Sequence, residues 1–161
     1  MTRPVPPTLL LTRRLTVDRL DGGARALFPS LRPGDNLARL VFLGTGPFSV
    51  ADAGAQVVAA LRSVRQSDES EPNDSGTDDT ELRHIVGELS TMSRAFSTEW
   101  AHGTERLRTS GIVHTAHPAA GTVRLGYRIT AVHGDPDRVA VVWRGADSAS
   151  RALLRRLSSE I

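Results

Sequence analysis

Five histidines and eighteen carboxylates are the side chains best suited to chemistry in this 161-residue chain, and their spacing restricts what they can do. His114 and His117 lie three apart in a stretch that alternates like a strand, so their side chains go to opposite faces. His84 and Glu88 are four apart in a helical pattern and could chelate, but no third ligand follows at a recognisable spacing. Gly44-Thr45-Gly46 lacks the third glycine and the following helix of a dinucleotide loop, and reads as a turn. Ser90, Ser93 and Ser110 have no nucleophile-elbow context. His117 with Glu88 or Glu99 could do acid–base work, yet no motif selects those pairs. Two absences narrow the field further. There is no cysteine, hence no disulfide, thiolate nucleophile or cysteine-based zinc site. All twenty basic residues are arginine, so a Schiff-base amine and a phosphate-loop lysine are excluded. No catalytic residue, metal site or cofactor is assigned.

The elements that would position these residues follow from periodicity. Residues 8–20 read as one or two short strands, and Asp21 can cap a short helix reaching Phe28. Asp35 or Asn36 can cap a second, with Leu37, Leu40, Val41 and Leu43 at helical spacing. A third helix is expected over 51–65, carrying Val57, Val58, Leu61 and Val64. Leu82, Ile85, Val86, Leu89, Phe96 and Trp100 then fall near one helical face, interrupted around Ser90–Ser93, which predicts helices over 79–91 and 93–102. After Gly111 the period changes to two. Val123, Leu125, Tyr127, Ile129 and Ala131 alternate with polar residues and Gly126, and turns at 117–121 and 133–137 complete a three-stranded meander. Asp147 and Ser148 can cap a last amphipathic helix. The expected fold is α+β, a PAS-like antiparallel sheet of two N-terminal and three C-terminal strands with the helices between them on one face.

Charge is unevenly distributed. Residues 66–81 hold seven acids, no base and no large apolar side chain, and read as a mobile acidic loop within a single domain spanning 1–161. Removing those seven leaves eleven acids against twenty arginines, a +9 body. The sequence pI of about 10.3 accompanies a formal charge of only +2, because little titrates between histidine and arginine. It is weak evidence for DNA, and direct DNA binding is not expected. Leu9–Leu11 is too short for a secretory signal, and no apolar run spans a membrane, so a cytoplasmic protein with no membrane partner is expected.

The run from Thr80 to Tyr127 resembles the ligand-binding domain of MmyB-like transcription regulators, bacterial and notably actinobacterial proteins in which a helix-turn-helix precedes a PAS-like domain. The resemblance is carried by Ile85–Ser90, Ser93, Phe96, Trp100, Arg106, Thr109-Ser110-Gly111, His117-Pro118, Gly121 and Tyr127, and upstream by Asn36–Leu43. Departures from the family pattern are Leu20-Asp21 in place of Trp-Asn, Gly103 in place of His, and Gly44-Thr45 in place of Asp-Pro. The helix-turn-helix has no counterpart in this chain, which points to a stand-alone domain.

The resemblance implies a regulatory sensor whose cavity takes a fatty-acid-like, lipophilic small molecule. An acyl chain would lie against Leu89, Phe96, Trp100, Tyr127, Ile129 and Trp143, with an arginine or histidine, Arg106 or His117, at the mouth to fix a carboxylate. The same apolar side chains could equally fill a core, because pocket and core draw on the same residues. Such a sensor would act through a partner, a homodimer or a full-length regulator. The alternative is a small enzyme of bacterial specialised metabolism acting on a hydrophobic metabolite in the same pocket, with Tyr127 and His117 the first groups to consider. A third reading is an interaction domain with a filled core.

Overall fold

The computed structural model of the protein describes residues 5–70 and 76–161. The chain runs β1 (Thr8–Thr12), β2 (Val17–Leu20), α1 (Gly22–Leu27), α2 (Leu37–Phe42), α3 (Val50–Ser70), α4 (Gly76–Met92), α5 (Arg94–His102), β3 (Ser110–His117), β4 (Gly121–Val132), β5 (Asp135–Gly145) and α6 (Ser148–Ser159). The five strands form one antiparallel sheet in the order β2-β1-β5-β4-β3. The fold is α+β and PAS-like. Among the described residues no helix is long and apolar enough to cross a membrane.

Period-two patterning sorts the sheet into two faces. Leu9 and Leu11 of β1, Val113 of β3, Val123 and Leu125 of β4, and Val141 and Trp143 of β5 are buried on the face that meets the helices. Arg124, Arg128 and Arg144 are exposed on the other. Gly145 has no room for a Cβ because the backbone of α6 at Ser150 and Arg151 lies directly against it.

The helix starts are fixed by side chains that satisfy otherwise orphaned N–H groups. Asp21 accepts from Ala24 N–H at 2.8 Å and from Thr8 N–H at 3.1 Å, tying α1 to β1. Ser93 caps α5 through Phe96 N–H, and Asp147 caps α6 through Ser150 N–H. Of the two candidates for α2, Asn36 is the cap, accepting from Ala38 and Arg39 N–H. At 4% exposed, its amide also donates to Arg14 O at 2.8 Å and Thr16 Oγ1 at 3.2 Å, so one buried side chain caps a helix and holds the β1–β2 turn. The end of α5 is secured differently. The Arg62 guanidinium on α3 donates to the carbonyls of Glu99, Trp100 and Gly103 and lies 5.7 Å from the Trp100 ring centroid. A cation at a helix C-terminus opposes the negative end of its dipole.

One expectation needs correction. Residues 66–70 continue α3 and 76–81 open α4, so most of the stretch expected as an acidic loop is helical, while 71–75 lie outside the described residues. Once a helix is nucleated each added residue gains a hydrogen bond, so a further turn can follow without an apolar side chain. The apolar pattern therefore marks where a helix is buried rather than where it stops.

Asn36→Ala removes a helix cap and two donors to the turn. The loss should come to about 2 kcal/mol, or roughly 4–8 °C in Tm for a chain of this size. Thermal unfolding by circular dichroism checks it, and an unchanged Tm would mean that the Asn36 network carries no stability.

Candidate functional site

Burial along β4 declines in one direction. Val123 and Leu125 are 2% and 0% exposed, whereas Tyr127 and Ile129 on the same face are only half-buried. Helical cover thins there, and a cavity of about 100 Å³ opens between the sheet, α2 and α3. Its sheet wall is Leu11, Val113, Tyr127, Ile129, Val141 and Trp143, and its helical wall is Leu37 and Val41 of α2 with Asp52, Ala53, Gln56, Val57 and Ala60 of α3. The α3 positions recur at three- and four-residue spacing, one helical stripe facing the strands. Two members of that stripe are alanine, too short to fill the space that a leucine would occupy.

Two further side chains shape the cavity. Phe48, 6% exposed in the α2–α3 connection, stacks on Trp143 with ring centroids 5.4 Å apart and planes 9° from parallel. Leu15 reaches the cavity from the β1–β2 turn with φ at 70°, a left-handed conformation that costs a bulky residue about 1–3 kcal/mol. It is held by a bond from its own N–H to Thr12 O and one from Leu37 N–H to its carbonyl, both 2.9 Å, beside the Asn36 contact to Arg14.

The polar groups at the mouth are largely engaged. The Asp52 carboxylate accepts from the His114 backbone N–H at 2.7 Å and lies 3.1 Å from His114 Nδ1. Gln56 donates to Glu105 Oε2 and Arg106 O and accepts from Arg108 N–H, which pins the segment before β3 against α3. Leu107, between those anchors, lines the cavity and is 42% exposed, so the opening is beside it. The Trp143 indole Nε1 is fully buried without a hydrogen-bond partner, as is Thr115 Oγ1 on β3. An unpaired buried donor costs about 1–3 kcal/mol.

Tyr127 faces Trp143 across β4 and β5, rings 5.9 Å apart, and faces Gly111 across β3 and β4. Burial pushes its phenol above the ordinary pKa of 10.0, the Arg108 charge partly offsets this, and Glu105 adds to it. The hydroxyl is therefore neutral at physiological pH. A Cβ on Gly111 would sit 2.7 Å from the Tyr127 oxygen, which is the physical reason that β3 has glycine there.

Of the residues expected to bind ligand, the structure brings Tyr127, Ile129 and Trp143 together on this cavity. Leu89 and Phe96, both 0% exposed, lie in the helical core, and Trp100 stacks on Phe96 at 5.7 Å, so none of the three is on the cavity wall. Arg106 is exposed on the mouth segment and contributes only its carbonyl to Gln56. His117 is 7% exposed. Its Nε2 meets Ala26 O at 3.0 Å and its Nδ1 accepts from Ala119 N–H at 3.1 Å, so both ring nitrogens serve the corner where β3 meets α1. Tyr127 lines the cavity and His117 does not. Glu88 bonds Arg39 at 2.8 Å. The charged side chain on the cavity wall is Asp52, where an arginine or histidine was expected. Sequence reasoning missed Leu15, Phe48, Ala53, Gln56 and Leu107, and the one available signal was the small residues of the Ala53–Ala60 stripe.

The chain matches the family described as MmyB-like transcription regulator ligand binding domain over residues 4–157. Among curated proteins, none matches it.

Tyr127 is the only tyrosine, so tyrosinate absorbance reports this group alone. Its titration midpoint should lie above 10.0 in the folded protein. Because the folded state holds the proton more tightly than the unfolded one, stability from this group should fall as pH rises from about 10. Tyr127→Phe should remove that slope. A midpoint at or below 10 would show that the phenol is not in the desolvated wall described.

Proposed function

Because the chain belongs to the MmyB-like transcription regulator ligand binding domain family, we propose that it is a regulatory sensor binding a lipophilic small molecule in the cleft between α3 and the sheet. The observation that carries this reading is the cavity itself. It lies on the half-buried part of an otherwise well-covered sheet, its walls are almost wholly apolar, and Asp52 and Gln56 are engaged in hydrogen bonds at its mouth. Apolar walls with sparse polar groups are the usual make-up of a small-molecule site.

Size limits how a ligand sits. A cavity near 150 Å³ holds a benzene-sized molecule, and this one is about 100 Å³. It accepts a few carbon atoms as it stands. A fatty-acid-like chain would insert its end here, with the remainder passing Leu107 once the mouth widens. A strained turn carries Leu15 on the same wall, so relief of its left-handed conformation is available to offset part of that opening. The sensor reading places the protein in the cytoplasm, acting through a second copy or a full-length regulator rather than through its own contact with DNA.

The test is thermal stabilisation by straight-chain lipophiles, in the parent chain and in Ala53→Leu and Ala60→Leu. A ligand at a hundredfold excess over its Kd should add about 2.7 kcal/mol, or roughly 5–10 °C in Tm. Either leucine should fill the cavity and remove most of that shift while the fold persists. Equal stabilisation of parent and both variants would place the ligand elsewhere, and no stabilisation by any lipophile would overturn the reading.

A further inference from the structure

The chain that crosses the cavity mouth is fixed at its two ends and tied down between them by a single side chain. At the α5 end, Arg62 of α3 donates to Gly103 O. At the β3 end, Thr109 O accepts from Ile129 N–H of β4 at 2.7 Å. Residues 104–108 between these anchors are exposed and belong to no helix or strand. Among the described residues, every hydrogen bond they make goes to Gln56, which accepts from Arg108 N–H at 2.8 Å and donates at 3.0 Å to both Arg106 O and Glu105 Oε2. A primary amide offers one acceptor oxygen and two N–H donors, so this one side chain meets the segment in both directions. Leu107 carries the only apolar side chain of the five, and it is the one that lines the cavity.

Exposed hydrogen bonds exchange with water at little net cost, and a segment with few buried contacts opens well below the free energy of global unfolding. The anchors at Gly103 and Thr109 are separate from the Gln56 bonds, so residues 104–108 can lift while α5 and β3 stay in place. Lifting withdraws Leu107 and uncovers apolar wall, which an entering acyl chain covers again. From this arrangement we propose that residues 104–108 are a strap gating the cavity, with Leu107 as its plug and Gln56 as the positioning residue that latches it, so that Gln56 sets how fast a lipophile enters and leaves. The inference rests on the ligand-binding reading above and adds to it the control of access.

The test compares the parent chain with Gln56→Ala and Leu107→Ala. Amide hydrogen exchange is measured first, without ligand. In Gln56→Ala the Arg108 N–H should exchange about tenfold faster, from loss of its acceptor and of two further exposed bonds, while the Ile129 N–H keeps its parent rate. Leu107→Ala keeps the latch and should leave Arg108 exchange as in the parent. Stopped-flow tryptophan fluorescence with decanoate and with decanol then gives the binding rates, with Trp143 on the cavity wall as reporter. Both variants should raise the association and dissociation rate constants together, by about tenfold in Gln56→Ala, whereas loss of a mere ligand contact would raise dissociation alone. An Arg108 amide no faster in Gln56→Ala, or probes that bind with association unchanged in both variants, overturns the gate and leaves the lipophile site standing. Failure of both probes to bind the parent chain overturns the gate and the ligand-binding reading together.

Discussion

An antiparallel sheet with one apolar face has to be covered, and the residues that α3 brings to the middle of that face include alanines. Ala53 and Ala60 lie on the stripe that also carries Asp52, Gln56 and Val57, opposite Tyr127, Ile129 and Trp143. Burial of the sheet fixes where the helix lies, and the short side chains then leave a gap where native packing would ordinarily be dense. The cavity thus follows from a mismatch between a helix held close by its neighbours and the length of the side chains it presents.

That placement of α3 is enforced from both ends of the site. Arg62 binds the carbonyl end of α5, Gln56 grips the segment from Glu105 to Arg108, and the Asp52 carboxylate accepts from β3. One helix therefore forms a cavity wall, anchors the segment at the mouth and contacts the sheet edge. Across from it, Asn36 caps α2 and holds the turn that carries Leu15 in a left-handed conformation. The hydrogen bonds that anchor α3 lie around the cavity, while its lining is almost wholly apolar. This division gives the site shape from hydrogen bonds and affinity from apolar burial.

The strands and most helices were legible because burial imposes a period. β4 was marked by Val123, Leu125, Tyr127 and Ile129, and α5 by Ser93, Phe96 and Trp100. The acidic stretch carries no such mark, and α3 and α4 extend into it because a helical backbone can continue without apolar side chains. Among the residues expected to bind ligand, Tyr127, Ile129 and Trp143 line the cavity, whereas Leu89, Phe96 and Trp100 lie off its wall. All six are apolar or aromatic at a suitable period, and only the packing of helix on sheet decides which three meet a gap. Phe48 and Leu15 lie in connections, where no periodicity exists to place a side chain. His117 lies off the cavity wall with both ring nitrogens engaged by Ala26 O and Ala119 N–H, an arrangement that sequence cannot distinguish from a histidine facing a ligand.

The central claim is that ligand occupies the space between α3 and strands β4 and β5. A crystal structure of the protein grown with a straight-chain lipophile tests this most directly. Density bounded by Ala53, Ile129 and Trp143 and leaving beside Leu107 is the result the account predicts. Density among Leu89, Phe96 and Trp100, or a cavity closed by inward rotation of its own side chains with no ligand bound, would contradict it.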